Sequence, residues 1–330
     1  MKRTSYLTLV CAFIALTFSQ CIPPGGGGGT NPTPTAVYQE FIDTSYGVDA
    51  LQKMDIYLPQ GRTTSTTKTI ILIHGGGWQD GNKDEISYTK VIDRIKVTMP
   101  DVAIVNMNYR LVNGAGNPTL PDLMSDISLA INFLKTNANT FAISNRFALW
   151  GFSAGGHLAT LYTYAYDTSG DIKVVSDWFG PTEFMNTDPN EISYSTLVSG
   201  KNMYIVQREL LGGIDRATNP TLWSNASPIN RATASSKPTF IIHDNADLIV
   251  PYNHSVLLRD KLNTLGVINS FIDISYYIQN HPNNIFQLNP PLHDFTDPGI
   301  CNTLDCGIFN INDYRNYAVD TTLGFIKRFL

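Results

Sequence analysis

From Ala36 onward, two kinds of apolar segment alternate along the chain. Continuous runs such as "KTIILIH" and "RFALWGF" are typical of strands that are buried on both faces of a sheet. Other segments repeat their apolar residues at helical spacing, as in 84–97 and 120–139. In 120–139 the residues that share one helical face are Leu123, Ile127, Ala130, Ile131 and Leu134. This alternation predicts a mostly parallel central sheet with helices on both faces, an α/β fold.

The first and the middle parts of this region depart from the rhythm. Residues 37–43 and 52–59 are predicted to form an early antiparallel pair of strands, with Gly47 in the turn between them. Residues 181–227 show little periodicity and lie between two predicted strands. We interpret them as a modest, cap-like insertion over the carboxyl edge of the sheet, where α/β proteins place their ligands.

The N-terminal residues are interpreted as a targeting segment. Residues 1–20 have a short basic start, Lys2 and Arg3, followed by an apolar stretch too short for a membrane span. The stretch ends at Cys21 and resembles a bacterial lipoprotein signal, in which this cysteine is acylated; cleavage near Ser19 for ordinary secretion is the alternative. Residues 21–36 are rich in glycine and proline and are predicted to be a flexible tether.

Length, charge and cysteine content narrow the class of protein. The chain has 330 residues and a formal net charge of −5 without a basic run, so a nucleic acid partner is not expected. Residues 37–330 fit one large α/β domain. Its two cysteines, Cys301 and Cys306, could form a local disulfide or remain free thiols, and no zinc-type spacing accompanies them. We expect no metal and no cofactor.

One serine lies in a glycine-framed turn between a predicted strand and a predicted helix. The segment Gly151-Phe152-Ser153-Ala154-Gly155 has the G-x-S-x-G form of a nucleophile elbow, in which a tight turn exposes the serine hydroxyl. A plain tight turn is the alternative. The helix that follows would present its N-terminus, which favours developing negative charge, to the reacting centre.

A second glycine-rich turn, "HGGGW" at 74–78, follows an early buried strand. Backbone N–H groups of small residues can stabilise an oxyanion without blocking access to it. Gly76 and Gly77, together with the N–H of Ala154, are the expected donors. A phosphate loop is the alternative, but it would need a lysine followed by serine or threonine, which this turn does not have.

A serine nucleophile needs a histidine base and an acid that orients it. Asp247 follows a late buried strand and is the preferred acid, with Asp244 as the competing candidate. His293, in "PPLHDF", is the preferred base, with His281 as the competitor. The other histidines receive structural interpretations: His74 holds the glycine loop, His157 and His243 lie at element ends, and His254 is expected on a helix surface.

Taken together, these motifs resemble the α/β-hydrolases of the HGGG esterase/lipase group, and within it the BD-FAE-like enzymes related to feruloyl and acetyl-xylan esterases. The similarity extends from "MDIYLP" to the last helix and rests on "HGGGW", "NYRL", "RFALWGFSAGGHLATL", "DWFGPTE" and "HDNADLIVP". It implies Ser153, Asp247 and His293 as the catalytic triad and a structural role for Asp126. The family's "HG" before the acid is "HDN" here.

The expected activity is hydrolysis of short-chain or aryl esters through an acyl-enzyme, with acetyl or feruloyl groups on polysaccharide fragments as candidate substrates. The choice of polysaccharide fragments as substrates depends on analogy with the family and on the expected export. Two alternatives use the same fold. One is an amide hydrolase, such as an arylformamidase or a peptidase, and the other is a non-catalytic binding lipoprotein. A membrane contact is expected only through the N-terminal anchor.

Overall fold

A single eight-stranded sheet organises the described part of the chain. The computed structural model describes residues 36–114, 117–185, 201–245, 247, 249–274 and 311–330. The strands are β1 (Gln39–Ser45), β2 (Lys53–Leu58), β3 (Thr69–Ile73), β4 (Ala103–Met107), β5 (Phe147–Phe152), β6 (Ile172–Trp178), β7 (Thr239–His243) and β8 (Asn269–Asp273). Their order across the sheet is β1-β2-β4-β3-β5-β6-β7-β8.

The direction of the strands follows the predicted pattern. β1 and β2 form an antiparallel pair, and β2 also runs antiparallel to β4. From β4 through β3 to β8 every neighbouring pair is parallel. The carboxyl ends of β3, β5, β6 and β7 therefore meet at one edge of the sheet, which is where such folds bind their ligands.

Helices connect the strands and cover the sheet. They are α1 (Ile86–Thr98), α2 (Leu120–Thr136), α3 (Ala138–Phe141), α4 (Ala154–Ala165), α5 (Met203–Leu210), α6 (Pro220–Ala226), α7 (Pro228–Arg231), α8 (Asn253–Thr264) and α9 (Ile311–Phe329). Among the residues described, no helix is both long and apolar enough to cross a bilayer.

Two apolar clusters show that both faces of the sheet are covered. Because side chains alternate along a strand, Ile71 and Ile73 of β3 face one way and Ile70 and Leu72 the other. The first pair belongs to a cluster that includes buried residues of α2 and α4. The second pair belongs to a cluster with α1 and α9. Each face is thus sealed by helices, as the continuous apolar runs predict.

The described residues of the insertion, 181–185 and 201–227, include two helices that the apolar periodicity did not reveal. Both have an asparagine at the N-cap: the side chain of Asn202 accepts a hydrogen bond from Ile205 N in α5, and that of Asn219 accepts one from Leu222 N in α6. Apolar residues of both helices join the cluster of α2 and α4: Val206, Leu210 and Trp223. Since α5 has eight residues and α6 seven, neither is long enough to show a clear period.

A buried ion pair connects α2 to the loop after β4. Asp126 is fully buried, and its carboxylate accepts hydrogen bonds from the backbone N–H and the guanidinium of Arg110 and from the Gln52 side chain, at 2.7–3.0 Å. The carboxylate therefore joins three separate segments of the chain. These contacts agree with the structural role that the family resemblance implies.

Removing this carboxylate leaves the Arg110 guanidinium partly buried without its main partner. We expect Asp126→Ala to lower the free energy of unfolding by about 3–5 kcal/mol, the cost of breaking a buried pair from one side. Asp93→Ala on the exposed face of α1 is the control and should change it by less than about 0.5 kcal/mol. Urea unfolding measures both, and equal effects would contradict the structural assignment of Asp126.

A second buried carboxyl, that of Asp177 in β6, has fewer hydrogen-bond partners than that of Asp126. Its Oδ1 accepts a hydrogen bond from Gly180 N at 2.9 Å, whereas Oδ2 has no hydrogen-bond partner among the described residues. Burial raises the pKa of this carboxyl from 3.8 to about 7, and the Gly180 N–H opposes that shift only in part. Between these two values the folded chain keeps a proton that the unfolded chain has released, so stability falls as the pH rises through that window.

Asp177→Asn removes this titration while keeping the shape of the side chain. We expect the variant to be more stable than the natural chain, with a gain roughly 2 kcal/mol larger at pH 7.5 than at pH 5.5. Urea unfolding at the two pH values checks this, with Asp93→Asn as the exposed control. A gain that is the same at both pH values would show that Asp177 does not keep its proton in the folded protein.

Candidate active site

Ser153 occupies a strained turn at the carboxyl edge of the sheet. It lies between the last residue of β5 and the first residue of α4, with φ 51° and ψ −119°. A positive φ is unfavourable for a residue with a side chain and persists only where the surrounding structure imposes it. Here the Ser153 N–H donates to Trp178 O at 2.8 Å, which ties the turn to β6. The Ser153 side chain makes no capping bond to α4, so the turn does not use it as an ordinary helix cap.

Glycine is required at 151 and 155 because other backbone atoms lie very close to these positions. A Cβ on Gly151 would lie 2.0 Å from Gly155 O, and one on Gly155 would lie 2.1 Å from Ile73 O. Real Cβ atoms essentially never come this close to another atom, so neither position tolerates a side chain without backbone movement. The two glycines therefore allow the start of α4 to lie directly against the ends of β3 and β5.

The glycine loop after β3 lies beside Ser153. A Cβ on Gly75 would be 3.2 Å from the Cβ of Ser153, so the two segments are in van der Waals contact. Gly76 and Gly77 follow with φ 105° and 58°, and a Cβ on Gly76 would lie 2.1 Å from Asp80 O. Only glycine fits such a turn without strain. Ala154, the first residue of α4, contributes an N–H that has no partner within the helix. The predicted oxyanion donors thus belong to two segments that meet at Ser153.

Aromatic side chains hold this loop in place. The hydroxyl of Tyr88 accepts a hydrogen bond from Gly75 N at 2.9 Å, and the hydroxyl of Tyr109 donates to His74 O at 3.1 Å. The His74 ring stacks on Tyr109, with centroids 4.3 Å apart, and its Nδ1 donates to Gly75 O at 2.7 Å. The local role predicted for His74 agrees with these contacts. Tyr88 lies in none of the motifs that carry the family resemblance, and Tyr109 belongs to "NYRL", which did not by itself reveal this contact.

His157 connects the glycine loop, α4 and the insertion. Its Nδ1 accepts a hydrogen bond from Trp78 Nε1 at 3.2 Å, and its Nε2 donates to Ala226 O at 2.9 Å. Burial lowers the pKa of His157 to about 4, and burial likewise lowers that of His74 to about 4. Both rings are therefore neutral near pH 7, and they fix the loop through hydrogen bonds without adding charge.

The preferred acid, Asp247, lies just after β7 and is buried. Its Oδ1 accepts hydrogen bonds from Ile249 N at 2.7 Å and Val250 N at 3.0 Å. Its Oδ2 lies 3.0 Å from Nε2 of His243, the last residue of β7. Three donors stabilise an ionised carboxylate, which is the form that a triad acid needs. His243 was predicted only to lie at the end of a strand, and its spacing of four residues from Asp247 was the available signal.

The competing acid, Asp244, is also buried, and its carbonyl oxygen accepts a hydrogen bond from Asp247 N at 3.1 Å. The prediction for His254 was wrong: the side chain is buried in α8, and its Nδ1 accepts hydrogen bonds from Thr182 N and Glu183 N at 3.1 and 3.0 Å. The face of α8 that carries His254 packs against the start of the insertion, so it is not exposed.

Several predicted site residues lie outside the described residues. These are both candidate bases, both cysteines of the possible disulfide and the predicted lipidation site: His293, His281, Cys301, Cys306 and Cys21. Within the part of the chain that is described, no group of three or more histidine, cysteine or carboxylate side chains could hold a metal ion. The predicted site residues that the structure describes are therefore those of the serine turn, those of the glycine loop and Asp247.

Comparisons with known proteins identify the family of this chain. The BD-FAE family model matches residues 54–262, more than half of the chain. Esterase LipC of Mycobacterium tuberculosis (strain ATCC 25618 / H37Rv) is 25% identical over 233 residues, covering 67% of this chain and 54% of that protein. The kynurenine formamidase avaC of Aspergillus versicolor is 31% identical over 107 residues, covering 30% of this chain and 37% of that protein.

A solved structure described as a truncated form of a carbohydrate esterase from gut microbiota superposes with a TM-score of 0.59 at 24% identity, covering 74% of this chain and 90% of that chain. The chain spans about half the length of the curated relatives LipC and LipM. The family match and the shared fold lead to one conclusion. This chain belongs to the BD-FAE family and has the α/β-hydrolase fold.

Proposed function

We propose that the chain is a serine carboxylic-ester hydrolase that works through an acyl-enzyme. The observation that carries this proposal is the strained turn at Ser153, held in contact with the glycine loop by close approach at Gly155 and Gly75. Such a turn brings a hydroxyl, a helix N-terminus and a second set of backbone N–H groups to one point. The similarity to an esterase adds support for the ester bond as the substrate.

In the proposed reaction, Ser153 Oγ attacks the ester carbonyl carbon and His293 accepts the serine proton. The N–H groups of Gly76, Gly77 and Ala154 stabilise the oxyanion that forms. The carbon–oxygen bond to the alcohol breaks, and the histidine returns its proton to the leaving alcohol. Water then attacks the acyl-enzyme by the same route, which releases the carboxylic acid and restores the serine. Asp247 orients the histidine throughout.

For the substrate we propose short-chain or aryl esters, with acetyl or feruloyl groups on polysaccharide fragments as the natural class. We propose a short acyl group because the insertion at 181–227 is of modest length. The similarity of the fold to a carbohydrate esterase supports polysaccharide fragments as the carriers of these ester groups.

Amide hydrolysis is the second candidate, and the similarity to a kynurenine formamidase favours it over other rivals. Both reactions use the same nucleophile and the same oxyanion donors, so the geometry of the serine turn and the glycine loop is compatible with each. They differ in the leaving group, which is an alcohol for an ester and an amine for an amide. A direct comparison of matched substrates separates them.

Export on a lipid anchor remains a proposal from the sequence. Acylation of Cys21 would attach the domain to a membrane through the glycine-rich and proline-rich residues that follow. Mass spectrometry of the N-terminal peptide after expression of the full chain tests it: a diacylglyceryl-modified Cys21 supports the anchor, and cleavage near Ser19 without lipid supports plain secretion.

The activity is tested with p-nitrophenyl esters of increasing acyl length, methyl ferulate and acetylated xylan. We expect p-nitrophenyl acetate to be hydrolysed faster than long-chain esters and faster than N-formylkynurenine. Ser153→Ala should lower kcat by at least about a thousandfold, because the remaining oxyanion donors cannot replace the nucleophile. Asp247→Asn and His293→Ala should also cause large losses.

Matched variants distinguish the competing assignments. Asp244→Asn and His281→Ala should retain most of the activity if Asp247 and His293 are the acid and the base. An inactive wild-type chain with all esters would overturn the esterase proposal. Faster turnover of the formamide than of every ester would favour the amide hydrolase instead.

A further inference from the structure

The carboxylate of Asp247 is held from two sides. On one side, the backbone N–H groups of Ile249 and Val250 donate to Oδ1. On the other side, the ring of His243 approaches Oδ2 with its Nε2 at 3.0 Å. The backbone donors are fixed by the loop itself, whereas the second contact depends on one side chain. His243 therefore supplies a side-chain donor to Oδ2, in addition to the backbone donors to Oδ1.

The contacts of the His243 ring determine which nitrogen carries the proton. Nε2 faces two acceptors, Asp247 Oδ2 at 3.0 Å and Val250 O at 3.1 Å, so it must be a donor. Nδ1 lies 2.7 Å from the hydroxyl of Ser255 in α8, which can donate to it in the neutral ring. Ser255 thus favours the tautomer in which Nε2–H points at the acid.

This serine–histidine–aspartate array cannot act as a second active site. Ser255 and His243 are fully buried, and Asp247 is nearly so. Ser255 lies within a regular helix, without the strained turn that exposes Ser153. A nucleophile must be accessible to its substrate, and this serine is not. The array can therefore affect catalysis through the carboxylate of Asp247.

Other polar groups of the described region also lie near the His243 ring. Tyr252 meets the ring edge to face, and its hydroxyl donates to Asp273 Oδ2 at 3.0 Å. Asp273 is the register partner of His243 on β8, and Asp244 is the next residue along the chain. His254 of α8 also lies close, but burial lowers its pKa to about 3, so it is neutral at working pH. Within the described region, the direct hydrogen bond from His243 is thus a side-chain contact that holds Oδ2.

We propose that His243 is a positioning residue for the acid of the triad, and that Ser255 sets its tautomer. The Nε2–H of His243 keeps the Asp247 carboxylate ionised and in one rotation, so that this carboxylate can orient the catalytic histidine. The inference rests on the proposed esterase function, with Asp247 as the acid. A residue four positions before the acid, at the end of β7, thus extends the triad into the core.

Two amide variants separate this contact from general packing. Glutamine can place its Nε2 near the position of the imidazole Nε2 and so donate to Asp247, whereas asparagine is too short and can reach only the Ser255 side. We expect His243→Gln to keep kcat for p-nitrophenyl acetate within about threefold of the wild type. His243→Asn should lower kcat about 10- to 100-fold, with little change in KM, because the acid loses a donor to a charged group.

The pH profile distinguishes positioning from a merely structural role. Without the Nε2–H donor, the buried Asp247 carboxylate ionises at higher pH, so the acidic limb of the kcat profile should move upward in His243→Asn. It should stay in place in His243→Gln. His254→Gln, a change at another buried histidine in the same region, is the control and should alter thermal stability without moving the limb.

If His243→Asn does not fold, Ser255→Ala gives the same test through a smaller change. It removes the donor to Nδ1, and we expect a roughly 3- to 10-fold lower kcat with a limb that moves in the same direction. An active wild type whose His243→Asn and Ser255→Ala variants match His243→Gln in kcat and in pH profile would overturn this inference alone. A wild type with no activity overturns the proposed function instead.

Discussion

The N-terminus of α4 lies so close to the end of β3 that one methyl group at Gly155 would overlap the carbonyl oxygen of Ile73. This close approach fixes the geometry of the edge at which the site forms. It forces Ser153 into a positive φ, because the chain must turn from β5 into α4 within a single residue. It also brings the glycine loop, which continues directly from β3, into contact with that serine. A larger residue at 155 would separate the two segments and with them the nucleophile and the oxyanion donors.

Burial on both faces of the sheet imposes a second constraint, because every polar group in its neighbourhood needs a partner. The Asp126 carboxylate accepts hydrogen bonds from Arg110 and Gln52, and the Asp247 carboxylate accepts them from two backbone N–H groups and His243. The partners of Asp126 also hold separate segments together, whereas these partners of Asp247 lie within residues 243–250. Asp177 departs from this pattern, because one of its oxygens has no hydrogen-bond partner in the described region, and burial raises its pKa.

The sequence allowed the sheet and the serine turn to be predicted because both depend on local signals. Long apolar runs marked the buried strands, and small residues around Ser153 marked a close approach. The helices of the insertion escaped prediction because they are too short to show a period, although Asn202 and Asn219 were available as cap signals. Their burial depends on tertiary contacts that periodicity does not report.

Other features could not be derived from local pattern. The ring of His254 was expected to face solvent, but α8 packs against the start of the insertion and buries it. The contact from His243 to Asp247 depends on how the loop after β7 folds back. The Tyr88 hydroxyl that accepts a hydrogen bond from Gly75 comes from α1. Such contacts require three-dimensional information, because the partners are common residue types and spacing alone does not show that they touch.

The most direct measurement is covalent labelling with an alkyl fluorophosphonate, followed by mass spectrometry of the intact chain and of its peptides. We predict one adduct per chain, located on Ser153, formed more slowly in Asp247→Asn and absent in Ser153→Ala. An unlabelled wild-type chain, or an adduct on another residue that persists in Ser153→Ala, would contradict the claim that this strained turn presents a catalytic nucleophile.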